Sequence, residues 1–162
     1  MKTLYMVRHA KSSWEYDVSD RERPLAQRGL NDAANMSAHL ADNHAAPQYI
    51  WTSDANRAHT TALFFKDAYG IDDAHFVTKP SLYDFGGGQV LETIKSCDDQ
   101  IDHLMIFGHN HAFTSLANML GNVTIDNVPT CGFVCIDFDI ESWKNCKQGK
   151  TTHVLFPKEI RK

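Results

Sequence analysis

With 162 residues the chain has the length of one ordinary domain, and its 43% hydrophobic and 22% charged residues exclude a disordered or fibrous protein. The formal net charge of −4 argues against a nucleic-acid-binding protein, which needs basic surface to neutralise phosphates. No apolar run approaches the roughly 20 residues that cross a bilayer, and the first residues lack a secretory signal. We therefore expect a cytoplasmic protein without membrane contact.

Hydrophobic periodicity predicts strands and helices that alternate along the chain. In chain order they are a strand at 3–7, a helix at 28–46, a strand at 48–53, a helix at 54–69, a strand at 75–80, a helix at 88–97, a strand at 103–109, a helix at 110–120, and strands at 132–140 and 152–156. Ser53 is the predicted N-cap of the second helix, and Gly70 is expected to close it.

This alternation predicts a three-layer α/β sandwich, in which a mostly parallel central sheet of about six strands carries helices on both faces. The sequence contains no repeat and no Pro/Gly-rich linker. Residues 1–162 are therefore predicted to form a single domain, with connections too short for a large lid insertion. The four cysteines have no CxxC spacing and are expected to be apolar residues of a reduced core: Cys97, Cys131, Cys135 and Cys146.

Basic residues follow three of the predicted strands at the point where each strand ends. Arg8 and His9 follow the first strand, Arg57 lies about one helical turn after the second, and His109 follows the strand at 103–109. Ligands of open α/β sheets bind at the carboxyl ends of the strands, so these four side chains are expected to meet at one edge. Each of them alone would more often be an ordinary surface or capping residue, but together they indicate a site.

Two arginines and two histidines beside helix N-termini are suited to a phosphoryl group. Arginine can bind two phosphate oxygens at once and stays charged at any working pH. Neighbouring cations disfavour protonation of a histidine, which leaves one ring nitrogen free to attack phosphorus.

The motifs that carry these residues resemble the histidine phosphatase superfamily, with its phosphoglycerate-mutase-like fold, and within it the SixA-like phosphohistidine phosphatases. The matching segments occur in family order and cover nearly the whole chain: "VRHAKSSW" (7–14), "RERPLAQRG" (21–29), "TSDANRAHTTA" (52–62), "SLYDF" (81–85), "MIFGHNHAFTSLANML" (105–120) and "NVPTCGFVCIDF" (127–138).

The resemblance implies a metal-independent phosphatase without a cofactor, in which His9 takes up the phosphoryl group as a covalent phosphohistidine. Arg8, Arg57 and His109 would form the phosphate pocket, and Arg23 would bind substrate near its mouth. Ala10 replaces the commonest glycine of the family, as it often does in SixA-like relatives. His111 stands where many relatives have proline, and we expect it to face solvent.

The sequence departs from the family at the general acid, because the glutamate that protonates the leaving oxygen in many members has no clean match. Asp84 is the better candidate, because the other, Glu92, falls within a predicted helix. A pocket poor in acids favours a labile substrate whose leaving group departs without a strong proton donor. The resemblance and this departure together indicate a phosphorylated substrate such as a phosphohistidine protein.

Three other functions stay open at this point. The first is a small-molecule phosphomonoesterase of the same fold with Asp84 as acid. The second is a metal-binding protein, suggested by nine histidines and "HNH" at 109–111, although His109 and His111 point in different directions and no metal motif is present. The third is a non-catalytic phosphate-binding module.

Overall fold

The computed structural model describes residues 1–161 and contains six strands and four α-helices. The strands are Lys2–Arg8 (β1), Tyr49–Thr52 (β2), Phe76–Thr78 (β3), His103–Gly108 (β4), Phe133–Phe138 (β5) and Lys150–Leu155 (β6). The helices are Gln27–Asn43 (α1), Asn56–Tyr69 (α2), Gly88–Lys95 (α3) and Ala112–Leu120 (α4). Each helix of the described chain is too short or too polar to span a membrane.

The strands form one sheet in the order β3-β2-β4-β1-β5-β6. The pairs β3–β2, β2–β4 and β4–β1 are parallel, whereas β5 is antiparallel to both β1 and β6. Five strands therefore share one direction, and the predicted mostly parallel sheet of about six strands is confirmed. The direction of β5 brings the loop before it to the carboxyl ends of β1 and β4.

Both faces of the sheet are covered, because the central strands are apolar on both alternations. On one face Leu4 and Met6 pack with residues of α3 and α4. On the other, Tyr5 and Val7 pack with residues of α1 and α2. This confirms the three-layer α/β sandwich, and it makes the sheet a rigid support for whatever its strand ends carry.

The bounds of all four helices differ from the prediction by one to three residues, and two of these differences have a clear physical reason. α1 ends at Asn43, three residues before the predicted end, where His44 adopts an extended conformation. α2 begins at Asn56 with Ala55 as its N-cap, so Ser53 is not the capping residue. The Ser53 hydroxyl instead hydrogen-bonds to His109 and to the backbone N–H of Ala55, because Ser53 still follows the line of β2. Gly70 closes α2 with a positive φ of 68°, as expected.

The register of the central strands aligns their carboxyl ends. Arg8 pairs with Gly108 across β1 and β4, and Thr52 pairs with Phe107 across β2 and β4. The backbone N–H of His9 donates to the carbonyl of Gly108 at 3.0 Å, so the two histidines follow neighbouring strands at the same level.

The chain after His9 is held by the start of α1. The N–H of Ala26 donates to the carbonyl of Lys11 at 2.9 Å, and Ser12 bridges to Leu25. Gly29 lies so close to Lys11 that a Cβ atom there would overlap the Lys11 carbonyl oxygen. The first turn of α1 therefore fixes the loop that leads away from His9.

Candidate active site

His9 is buried at the end of β1, with 7% of its surface exposed. Its Nδ1 lies 2.7 Å from the carbonyl oxygen of Ala10, so Nδ1 carries the proton and donates it to this bond, while Nε2 keeps its lone pair. Burial lowers the pKa of His9 to about 3, against the opposing effect of the Ala10 hydrogen bond and with further lowering by His109, Arg57 and Arg8. His9 is therefore neutral at pH 7.

His109 lies behind His9, with the two ring centroids 5.2 Å apart, and is completely buried. Its Nε2 is 2.9 Å from the hydroxyl oxygen of Ser53, which fixes the ring. Burial, and then the charge of Arg57, lower its pKa to about 3. Its Nδ1 is buried and has no hydrogen-bond partner within residues 1–161, so a neutral His109 can offer an N–H at this point.

The two arginines beside the histidines each keep an unused donor. Arg8 donates from Nη1 to the carbonyl of Val128 at 3.0 Å, and Arg57 donates from Nη1 and Nη2 to the backbone oxygen and carboxylate of Asp20 at 2.6 and 2.9 Å. The Nε atoms of both arginines are buried without a partner in the described chain. Burial, and then the charge of Arg57, lower the pKa of Arg8.

These four side chains, which we call the pocket floor, come together as the sequence predicts they would. The floor consists of Arg8, His9, Arg57 and His109. A cavity of about 290 Å³ lies against Arg8, His9 and Arg57, and His109 packs against the His9 ring. The cavity is lined by Arg8, His9, Lys11, Ser12, Trp14, Asp20, Arg23, Arg57, Phe85, Asn110 and Thr130. Arg8, Lys11, Arg23 and Arg57 give this lining a positive charge that suits an anion.

Arg23 lies at the side of the same cavity, where its predicted role would place it, although it is only 7% exposed. Its Nη1 donates to the Ser12 hydroxyl at 2.6 Å and its Nε to the Asp20 carboxylate at 3.2 Å. Its guanidinium also covers the ring of Trp14 at 3.6 Å. Arg23 therefore organises the loop around the cavity as well as adding positive charge to it.

Asp84, the predicted acid, does not line the cavity. Its carboxylate accepts hydrogen bonds from the backbone N–H groups of Gly86, Gly87, Gln89 and Val90, at 2.9 to 3.1 Å, around the start of α3. These bonds give Asp84 a capping function. Glu92 is exposed on α3, and His111 is exposed at the start of α4, as expected.

Asp20 is the carboxylate that lines the cavity, and the sequence prediction missed it. Partial burial raises its pKa, but hydrogen bonds from Tyr83 and Arg57, the charge of Arg57 and a hydrogen bond from Arg23 together lower it to about 2. Asp20 is therefore ionised at neutral pH. Its position three residues before Arg23, in a loop already assigned to the site, was the signal that could have identified it.

No group of three or more His, Cys, Asp or Glu side chains in residues 1–161 is arranged to hold a metal ion. The hydrogen-bond partners of the two histidine rings are the Ser53 hydroxyl and the Ala10 carbonyl. The chemistry that this arrangement itself supplies is anion binding next to an unprotonated imidazole nitrogen.

Comparison with known families and proteins gives matches over most of the chain. Residues 4–104 match the family model described as the histidine phosphatase superfamily (branch 1). An uncharacterized chloroplastic protein of Arabidopsis thaliana is 30% identical over 154 residues, which cover 88% of this chain and 69% of that protein. An uncharacterized protein of Mycobacterium tuberculosis is 32% identical over 119 residues, 73% of this chain and 72% of that one.

Solved structures share the fold at lower sequence identity. A protein histidine phosphatase SixA, complexed with tungstate, matches with a TM-score of 0.83 and 17% identity, over 98% of this chain and 99% of that one. The SixA protein from Agrobacterium tumefaciens matches with a TM-score of 0.80 and 24% identity, over 96% and 98%. A mycobacterial glucosyl-3-phosphoglycerate phosphatase matches more distantly, with a TM-score of 0.64, 12% identity, and coverage of 94% and 97%.

Proposed function

The chain belongs to the histidine phosphatase superfamily (branch 1), and from that premise we propose that it hydrolyses phosphorylated substrates through a covalent phosphohistidine on His9. The observation that carries this proposal is the state of His9. Its ring is neutral, its Nδ1–H is held by the Ala10 carbonyl, and its Nε2 is free at the floor of a cationic cavity. A neutral imidazole held in this way is a nucleophile.

The reaction has two displacement steps at phosphorus. In the first, the lone pair of His9 Nε2 forms a bond to phosphorus while the bond to the leaving group breaks and its electron pair departs with that group. In the second, a water oxygen attacks phosphorus, the bond to Nε2 breaks with its electron pair returning to the nitrogen, and phosphate leaves with the protons of the water on its oxygens. Nδ1 keeps its proton throughout and donates it in the hydrogen bond to the Ala10 carbonyl, so His9 returns to its starting state.

The other floor residues hold the phosphoryl oxygens during both steps. Arg8 and Arg57 line the cavity and supply guanidinium N–H donors to it, and His109 packs against His9. Because they are buried and held in place by their other hydrogen bonds, they need not reorganise as charge develops. This preorganisation is the main contribution we assign to the protein beyond the nucleophile itself.

The acids in and near the cavity bear on the substrate. Asp84 is engaged by backbone N–H groups outside the cavity, and Asp20, whose pKa lies near 2, has no proton to donate at neutral pH. A reaction without a strong acid suits a phosphoramidate, whose imidazole leaving group departs more easily than an alkoxide. We therefore propose a phosphohistidine protein as the substrate, in keeping with the SixA proteins that share the fold.

The alternative is a small-molecule phosphomonoesterase, and one observation favours it: a carboxylate, that of Asp20, does line the cavity. A phosphoryl dianion beside Asp20 would raise the pKa of that carboxylate, so that Asp20 could act as the missing acid.

The proposal has three further parts. Residues 1–162 act as one domain without a lid, the reaction needs no metal, and the protein works in the cytoplasm. The four cysteines, all free and buried, suit a reducing compartment.

Trapping the phosphoenzyme tests the proposal. The protein is quenched after brief incubation with a ³²P-labelled phosphohistidine peptide, and the label is mapped under alkaline conditions that preserve phosphohistidine. We expect label on His9 in the wild type and none in His9→Ala, with His111→Ala as the matched control that still labels. Label on another residue, or hydrolysis by His9→Ala at the wild-type rate, would refute covalent catalysis by His9. Faster turnover of an alkyl phosphate than of the peptide would favour the ester alternative.

A further inference from the structure

An exposed tryptophan stands beside the catalytic cavity. The chain has three tryptophans, and Trp51 and Trp143 are buried in the core, whereas Trp14 is 77% exposed. Trp14 also lines the cavity that contains His9. A large aromatic ring is usually buried because of its apolar surface, so its exposure next to a reactive group indicates a binding role.

The position of the Trp14 ring is fixed from one side. The Arg23 guanidinium lies 3.6 Å from the ring centroid, and Arg23 is itself held by Ser12 and Asp20. The rest of the indole surface is open to solvent. Trp14 is therefore a preorganised platform, with one face used in a cation–π contact and further surface available to a ligand.

Phe85 provides a second aromatic wall of the same cavity. It is 44% exposed, and its ring packs against Tyr83 and His109 with centroid distances of 5.2 Å each. Phe85 thus connects the rim of the cavity to the pocket floor. We call Trp14, Asp20 and Phe85 the pocket rim.

We propose that Trp14 and Phe85 form an aromatic subsite that binds a planar ring bonded directly to the phosphoryl group. This inference rests on the proposed function, since it places the phosphoryl group against His9. The cavity is small, at about 290 Å³. When the phosphoryl group lies on the floor, the part of the substrate bonded directly to phosphorus therefore lies between the rim residues. The imidazole of phosphohistidine and the aryl ring of an aryl phosphate both fit this description, whereas an alkyl phosphate does not.

Binding of two unreactive phosphonates isolates the subsite from turnover. Phenylphosphonate carries an aromatic ring where methylphosphonate carries a methyl group, and the P–C bond of both compounds is not hydrolysed. By calorimetry we expect the wild type to bind phenylphosphonate about tenfold more tightly, the order of one aromatic stacking contact. In Trp14→Ala, and to a smaller extent in Phe85→Ala, that ratio should fall to within about twofold, and Trp14→Phe should restore most of it.

Tyr16→Ala is the matched control, because Tyr16 is 56% exposed on the same loop but does not line the cavity. It should keep the wild-type ratio. A ratio that is unchanged in both Trp14→Ala and Phe85→Ala, or that falls equally in Tyr16→Ala, overturns the subsite. A different result would contradict the proposed function itself. In that case neither phosphonate binds to the wild type, or Arg57→Ala leaves both affinities unchanged.

Two matched substrate pairs distinguish the source of the ring. Phosphoramidate and phosphohistidine share a P–N bond, and methyl phosphate and phenyl phosphate share a P–O bond, with a ring in only one member of each pair. Trp14→Ala should lower kcat/KM about tenfold for the member with a ring and leave the other nearly unchanged. If Trp14→Ala lowers kcat/KM for phosphohistidine but not for phosphoramidate, the subsite binds phosphohistidine. If it lowers kcat/KM only for phenyl phosphate, the subsite binds aryl esters. Equal effects within both pairs would refute it.

Fluorescence gives a readout that is independent of activity. Because the other two tryptophans are buried, a ligand stacked on Trp14 should change the emission of that residue alone. We expect phenylphosphonate to quench part of the wild-type emission and to leave Trp14→Phe unaffected. Equal quenching in both proteins would contradict stacking on Trp14.

Discussion

The pocket floor and the pocket rim differ in how the fold builds them. The floor residues lie at or just after strand ends, or in the first turn of α2, and three of them are 0–7% exposed: His9, Arg57 and His109. The rim residues lie on irregular segments, and Trp14 and Phe85 are 77% and 44% exposed. A sheet edge holds side chains rigidly at a fixed spacing, whereas loops can change without disturbing the core.

This difference separates the reaction from its specificity. In the proposed reaction the floor supplies a nucleophile and donors for the phosphoryl oxygens, which any substrate requires. In the proposed subsite the rim contacts the group that carries the phosphoryl. Changes to the floor should therefore slow the reaction with every substrate, and changes to the rim should alter the preference among substrates.

The largest effect is expected from the floor. Arg57→Ala removes a buried guanidinium and should lower kcat by about 10²- to 10³-fold, because a preorganised donor to the transition state is lost. The loss should be similar for phosphohistidine peptide and phenyl phosphate in steady-state assays. Arg57→Lys should recover little, since lysine lacks the planar fork.

Arg28→Ala is the control, because Arg28 is an exposed arginine on α1, where its contact with Asp32 is long at 3.9 Å. It should leave kcat unchanged. A large loss in Arg57→Ala with one substrate only would mean that Arg57 selects substrates, and the distinction between floor and rim would fail there.

The buried histidines of the floor predict a dependence of stability on pH. The pKa values of His9 and His109 are lowered to about 3, whereas the usual value is 6.5, so the unfolded chain binds more protons than the folded one between these values. Their contribution to the free energy of unfolding is present above pH 6.5 and is lost as the pH falls towards 3. Each histidine contributes a slope of up to about 1.4 kcal/mol per pH unit.

Urea unfolding between pH 7 and pH 4 measures this slope. His109→Gln removes one of the two titrating groups and should give a shallower slope than the wild type, whatever its stability at pH 7. An equal slope in the two proteins would show that His109 is not held neutral by the fold.

A smaller effect is expected from the rim carboxylate. The Asp20 carboxylate accepts a hydrogen bond from Arg57, so a bound phosphoryl group and Asp20 compete for the same guanidinium. Asp20→Asn removes a negative charge from the cavity and should tighten binding of inorganic phosphate or tungstate by about fivefold, measured by calorimetry. Turnover of phosphohistidine peptide should change little. A fall in kcat that is confined to alkyl phosphates would instead identify Asp20 as the acid of the ester reaction.

The same distinction explains what the sequence could predict. The order of strands and helices, the layers and the meeting of the four floor residues follow from periodicity and from the rule that parallel strands end at one edge. The resemblance to the histidine phosphatase superfamily and the SixA-like fold, both taken from motifs, are confirmed by the comparisons. These features depend on regular structure, which leaves a repeating signal in the sequence.

The rim residues lie on irregular segments, which leave no repeating pattern in the sequence. Asp20 was missed because its orientation depends also on Arg57 and Tyr83, which are distant in the sequence. Asp84 was chosen as the acid for its place in a family motif, yet its backbone partners lie within six residues of it. An aspartate that caps a helix and one that faces a substrate look alike in the sequence, since both follow a strand in a polar loop.

The smallest effect is expected at Asp84. Asp84→Ala removes four hydrogen bonds at the start of α3 and should lower the free energy of unfolding by about 1 kcal/mol, the usual cost of losing a capping carboxylate. The ratio of kcat for methyl phosphate to kcat for phosphohistidine peptide should not change, because the carboxylate does not line the cavity. Its neighbour Phe85 does, so a loosened turn should weaken phenylphosphonate binding before it affects methylphosphonate. A loss of about a hundredfold with methyl phosphate alone would make Asp84 the proton donor, and a residue outside the floor would then share in the chemistry that we assign to the floor.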